Sequence, residues 1–518
     1  MEKIMSEIFK IVPVLLCIFM FACGGGSPDE NNELPDESVQ TEDSDIVSPG
    51  DDSNSSDADT VIGESDEETD EEGDAAVSDE DTEENDGGIS DEDTVFEELQ
   101  TGGIYIFSDF NESGSAKSRN ILGNGGFLGF SVLSLGKEYW AASAIHESIP
   151  AFDWDNATGR LYIFEKSKHV ESLDDAAFVL NHPDKSLNVG FGYTAAAPCD
   201  INGDGFDDLA VSSHLAAFGE LYAAGEIVVF YGSPDGWNEE TTSISRLSSK
   251  YIQKADSMSQ SLACFDYDGD GFADVFAGGQ NAGPELSGGG SQGMAAFFKG
   301  GAAGLSENES WVLLPDVEEK AQYFGSSMLI EDLDGDSKPD LVVSGWGLKS
   351  ESGSDSKGGV YIYSGGTDWQ KGAAYKIFGE TGSQFGSVVK TVAIGGRKYL
   401  AVLAPKAEKY GTVSFYDPAE NFAAGGRFSF QSGFDGGDGA ISDFDTIKLS
   451  SDTDLMVIGG KTFGSGGMTY CATIQNKTLS PAGVCPFQPE TPEGGFGYSV
   501  KNTGKEIVVG MPEYIHRF

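Results

Sequence analysis

From Leu128 to the C-terminus, short apolar runs alternate with turns rich in Gly, Asp and Ser, and the 3.6-residue spacing of amphipathic helices is absent. A recurring unit is visible. A strand of small residues leads through a tight turn to an apolar strand such as DLAVSS from Asp208. A loop follows, then a strand led by glycine: GRLYIFE, GEIVVFYG, GMAAFFKG, GGVYIYSG or GTVSFY. Four short strands per unit, bounded by turns, predict an all-β repeat array of propeller blades.

The unit starts fall near residues 128, 191, 258, 324, 385, 438 and 496, a mean spacing of about 61 residues. Phe191, Phe324, Phe385 and Phe496 each precede a glycine. Leu128-Gly129 is a looser copy, Met258-Ser259 replaces the pair in the third unit, and the unit near Asp438 lacks it. From Phe496 only about two strands fit before Phe518. The missing strands are expected at the other end of the array, as GGIYIFSDF from Gly102 and SRNIL from Ser118. They would complete the last blade and remove an open sheet edge. The expectation is a seven-bladed β-propeller over 101–518, eight blades being the alternative count.

Three units carry an acidic turn between their first two strands, with side-chain oxygens at positions 1, 3, 5 and 9 and a backbone carbonyl at 7. The sets are Asp200, Asn202, Asp204 and Asp208 with Phe206; Asp266, Asp268, Asp270 and Asp274 with Phe272; and Asp332, Asp334, Asp336 and Asp340 with Lys338. Clustered hard oxygens without His or Cys suit Ca2+, so about three calcium sites are expected. An EF-hand needs a Glu at position 12, where Val211, Ala277 and Val343 stand instead. Gly205 and Gly271 at position 6 give the freedom of a sharp turn, and Ser337 at the third loop is expected to strain it. The ions would be structural, since three or four carboxylates in one turn repel one another without a cation.

The Phe-Gly starts, the DxDGDGxxD turns and the endings at Ala404-Pro405 and Met511-Pro512 resemble FG-GAP repeats, as in the propeller of integrin α subunits. The resemblance covers essentially all of 101–518. It implies that the calcium hairpins lie on one face and that a partner docks on the other. The docking loops would be 213–224, 279–292 and 345–358, with Trp346 among them.

Composition changes the picture at the N-terminus. The formal net charge is −55, which argues against nucleic acid and against docking on anionic lipid by charge. Residues 24–100 hold 31 Asp or Glu and no Lys or Arg, so they read as a disordered acidic tether. Residues 1–23 read as an export signal with an apolar run too short to span a membrane well. Its end at Cys23 resembles the lipobox of bacterial lipoproteins, though Met20 stands where Leu is usual. That resemblance implies lipidation of Cys23 and a lipid anchor at the outer membrane or cell surface, an ordinary signal cleaved nearby being the alternative.

Cys471 and Cys485 flank a short Asn-Lys hairpin and are expected to pair, as an exported location permits. Cys199 and Cys264 read as small buried residues rather than a bridge. Catalytic signals are weak. GGSQG from Gly289 lies in a glycine-rich loop rather than at a strand-to-helix elbow. His146 and His214 follow equivalent strands and read as exposed loop residues. The expected function is non-enzymatic: a surface-anchored, calcium-stabilised propeller that binds an extracellular protein or glycan. The alternatives are a polysaccharide lyase or hydrolase on the same scaffold, or an outer-membrane assembly scaffold.

Overall fold

The computed structural model describes residues 102–512 apart from short stretches that include 148–157, 430–440, 461–467 and 485–495. Cys23, the acidic segment 24–100 and Cys485 lie outside the described residues. The described strands form seven four-stranded antiparallel sheets, the seven blades of a β-propeller. Blade 2 is representative, with strands Phe191–Cys199, Asp208–Ser213, Glu226–Phe230 and Thr242–Ser245. The first strand of each blade lies innermost and packs beside the first strand of the next, around the whole ring.

The seventh blade is shared between the chain ends. Val500–Asn502 and Ile507–Met511 supply its inner strands, and Gly103–Ser108 and Lys117–Leu122 its outer ones. Gly103 pairs with Met511 and Phe107 with Ile507, so the ring closes by strand pairing as the sequence predicts.

The apolar strands are continuous because both of their faces are buried. In blade 2, Leu209, Val211, Val228 and Phe230 pack with Ala141, Leu161 and Ile163 of blade 1. The alternating residues Ala210, Ile227 and Val229 pack with Val275, Ala277 and Met294 of blade 3. The core is thus a set of layers between blades.

The Phe-Gly pair is a joint in this arrangement. Phe191, Phe324 and Phe496 are fully buried, as are Leu128 and Met258 at the same position. The following glycine has positive φ, +88° at Gly325, where an added Cβ would sit 2.2 Å from the Met294 carbonyl oxygen. In blade 3, Ser259 takes this backbone conformation at φ +69° and spends its hydroxyl on the Glu226 carbonyl (2.9 Å).

Antiparallel strands put the loops after first strands on one face of the ring and the loops after second strands on the other. The aspartate loops therefore lie opposite residues 213–224, 279–286 and 345–350.

Candidate metal centre

Each aspartate loop is fixed at its far end by the position-9 carboxylate, buried where the second strand begins. Asp208 accepts from the amides of Ile201 (2.8 Å) and Gly232 (2.8 Å). Asp274 accepts from Tyr267 (2.9 Å) and Gly300 (2.9 Å), and Asp340 from Leu333 (3.0 Å) and Gly365 (2.8 Å). Position 1 curls the turn around itself. Asp266 accepts from the amides of Gly269, Asp270 and Gly271, and Asp332 from those of Gly335 and Ser337.

Two loops bring their ligands together. Oxygens of Asp266, Asp268 and Asp274 lie within 4.8 Å of one another, and so do those of Asp332, Asp334 and Asp340. Two oxygens each about 2.4 Å from one Ca2+ are at most about 4.8 Å apart, so both sets fit such an ion. The position-5 residues Asp270 and Asp336 stand outside these triplets. Their side chains accept from the amides of Phe272 (3.1 Å) and Lys338 (2.8 Å).

The first loop has an amide at position 3. Asn202 donates to Asp204 (2.9 Å) and accepts from the Asp204 amide (3.0 Å). Asp200 uses one oxygen on the Gly205 amide (3.1 Å), while its buried Oδ1 has no hydrogen-bond partner among the described residues. A buried carboxylate oxygen left in this way suits a metal ligand. Position 6 takes the left-handed region in all three loops: Gly205 at φ +88°, Gly271 at +91° and Ser337 at +69°. The serine carries the steric cost that the sequence suggests.

The electrostatics follow from burial and crowding. Burial pushes Asp274 up to about 6 against the pull of its two amide donors, and Asp268 and Asp270 add to the rise. Burial raises Asp208 and Asp340 as well. Asp270 is instead held low, chiefly by its bond to Lys299. These carboxylates resist ionising together, and a divalent cation would relieve that.

The loops are tied to neighbouring blades. The Asp200 carbonyl accepts from the Ala273 amide (2.8 Å) and the Ile201 carbonyl from Gly301 (3.0 Å). The Phe272 ring lies against Gly203, where a Cβ would be 2.6 Å from it. Cys199 and Cys264, just before the first and second loops, form a disulfide with Cα atoms 6.0 Å apart. This corrects their reading as unbridged residues. They end the innermost strands of adjacent blades, which ring geometry brings side by side. Cys471 is buried and disulfide-bonded.

The opposite face carries different chemistry. Tyr323 and Trp346 stack with ring centroids 3.5 Å apart and planes 13° apart. Trp346 donates its indole N–H to Gln280 (3.2 Å). Phe218 is 47% exposed in the loop after the second strand of blade 2. His146 and His214 are buried, contrary to their reading as exposed. His146 meets Phe127 edge-on at 5.3 Å, and His214 lies 4.1 Å from the Tyr193 ring. Burial, helped by His146, drives His214 down to about 3, so it is neutral at physiological pH. Ser291 of the GGSQG segment bonds its hydroxyl to the Asn281 carbonyl.

A family model and a curated relative agree with the repeat reading. Residues 191–230, blade 2 from its Phe-Gly pair through its third strand, match the model of the FG-GAP repeat. A stretch of 132 residues is 30% identical to integrin alpha-E of Mus musculus, covering 24% of this chain and 11% of that protein. The chain thus spans about a tenth of the length of this curated relative. Among solved structures, a protein of unknown function from Dyadobacter fermentans DSM 18053 aligns with a TM-score of 0.39 at 10% identity, over 72% of this chain and 99% of its own. The chain carries the FG-GAP repeat on a seven-bladed, integrin-α-like propeller.

Proposed function

We propose that this chain is a calcium-stabilised recognition propeller, held at the cell surface by a lipid on Cys23, that binds an extracellular protein or glycan. FG-GAP propellers of the integrin-α type suggest ligand binding and an extracellular or surface setting. Ca2+ at the aspartate loops would fix one face of the ring, and the partner would dock on the other.

The Tyr323–Trp346 stack is the observation that carries this reading. Both rings are half-buried, and an amide side chain holds the indole. Flat aromatic surface beside fixed polar groups is the chemistry of protein and sugar recognition, because it offers large contact area at low entropic cost. Phe218 adds an exposed ring on the same face. Asp266, Asp268 and Asp274, with Asp332, Asp334 and Asp340, would hold two ions, and Asp200, Asn202, Asp204 and Asp208 a third. A bound ion would neutralise the crowded carboxylates and tie each turn to its blade.

The test is a glycan and surface-protein array probed with the wild type and with Trp346→Ala and Phe218→Ala. The expected result is binding to a defined set of partners that Trp346→Ala loses while its melting temperature holds. Equal binding by all three proteins would overturn the docking face. Anchoring is tested separately: Cys23→Ser should move the protein from the membrane to the soluble fraction, and a variant that stays with the membrane would contradict lipidation.

A further inference from the structure

The three aspartate loops correspond residue by residue through one shared hydrogen bond. The glycine after the third strand donates its amide to Oδ1 of the position-9 aspartate: Gly232 to Asp208 (2.8 Å), Gly300 to Asp274 (2.9 Å) and Gly365 to Asp340 (2.8 Å). The residues before these glycines are Tyr231, Lys299 and Ser364. Of the three blades, blade 3 alone places a cationic side chain at this point. The Lys299 ammonium is bonded to Asp268 and lies 3.0 Å from an oxygen of Asp270, so it engages positions 3 and 5 of its loop.

The other loops differ. The Tyr231 hydroxyl turns to Ser243 (2.7 Å), and the first loop satisfies its carboxylates in part with the Asn202 amide. In blade 4, the Lys338 side chain runs over Gly366, where a Cβ would meet its Cδ at 2.5 Å. Among the described residues, no lysine or arginine forms a side-chain ion pair with Asp332, Asp334, Asp336 or Asp340, Lys398 donating instead to the Asp332 backbone carbonyl (2.8 Å) and pairing with Glu331.

We propose that Lys299 is a built-in counter-cation of the blade 3 loop, which Ca2+ must displace from Asp268 and Asp270, making this the weaker, exchangeable site and the blade 4 loop the tighter one. This rests on the reading of the aspartate loops as calcium sites. Asp268 belongs to the triplet that fits Ca2+, so the ammonium and the ion compete for one carboxylate and repel each other if both are close. Displacement is feasible because Lys299 is 44% exposed on a flexible stem, and ion pairs at that exposure are weak. The loop therefore passes between a lysine-closed and a calcium-closed form as Ca2+ rises.

The experiment uses the full chain in detergent, so that the acidic N-terminal segment is common to every sample. Lysine acetylation is followed by mass spectrometry against free Ca2+, with the exposed Lys371 as internal reference. Thermal stabilisation by Ca2+ is measured for wild type, Lys299→Met and Lys299→Arg. Ca2+ should raise the acetylation rate of Lys299 relative to Lys371. Lys299→Met should lower the Ca2+ midpoint of the weaker phase by about tenfold, while Lys299→Arg, which keeps the charge, stays near wild type. If Ca2+ stabilises all three proteins with one midpoint and leaves Lys299 labelling unchanged, the proposal fails and the calcium reading stands. If Ca2+ stabilises none of them, both fail.

Discussion

Ile106, near the start of the described chain, faces Val508, near its end, in register across one antiparallel seam. Both are fully buried, and they pack with Leu128, Trp140 and Phe164 of blade 1. Removing this seam would expose two sheet edges and a face of blade 1 together. Deleting residues 101–120 should therefore unfold the whole propeller, whereas deleting 24–95 should leave its melting temperature unchanged. The milder Ile106→Ala should cost about 2–5 kcal/mol, read by chemical denaturation. Equal melting of the two truncations would contradict closure by this seam.

The Cys199–Cys264 bridge joins residues 65 apart in sequence at the ends of neighbouring inner strands. A loop of that length corresponds to about 4 kcal/mol in the chain-entropy picture of cross-linking. Replacing both cysteines by alanine should lower stability by roughly this amount and make the melting temperature insensitive to reductant at this site. Peptide mapping under non-reducing conditions checks the linkage itself.

Ser337 sits at φ +69°, where the other two loops have glycine. Ser337→Gly should remove left-handed strain and stabilise the domain by about 0.5–1 kcal/mol, the gain offset in part by a freer unfolded chain. Gly271→Ser should do the reverse. The pair is best compared by denaturant midpoint in the presence of EDTA.

Asp274 titrates near 6 in the folded chain, above its ordinary carboxylate range. A raised acid pKa means that the folded state holds the proton more tightly. The contribution is fully present below about pH 4 and is lost as pH rises through about 6. In EDTA, stability should therefore increase as pH falls from about 7 to 5, on the order of 1 kcal/mol from this group. Saturating Ca2+ should reverse the trend, because the ion requires the ionised form. Melting curves at several pH values, with and without Ca2+ and for Asp274→Asn, test both signs.

Much of the fold is legible in the sequence because the same physical constraint recurs. Phe191, Phe324, Phe385 and Phe496 mark joints where a ring fills the space between blades and the next residue needs positive φ. The tandem Gly-led strands give the missing third strand away at Gly103–Ser108. The aspartate turns are equally plain, since their ligands are local in sequence. What was not legible depends on contacts between strands and turns far apart in sequence, within a blade or between blades. Lys299 is 31 residues from Asp268 and reaches it only through the strand order of blade 3. Cys199 meets Cys264 only because inner strands of adjacent blades run side by side. His146 and His214 look like loop residues, but the rings of Phe127 and Tyr193 cover them.

We propose above that the aspartate loops hold structural Ca2+. The direct measurement is the melting temperature of residues 101–518 in EDTA, in Ca2+ and in Mg2+, for wild type and for the double variant Asp268→Ala, Asp334→Ala. Each filled site adds about 2.7 kcal/mol at a hundredfold excess of ion over its Kd. The melting temperature should fall clearly in EDTA and recover in millimolar Ca2+ more fully than in Mg2+, which demands stricter octahedral geometry. The double variant should lose most of that recovery. Identical melting in EDTA and in millimolar Ca2+ would contradict the account and leave the loops as acidic turns.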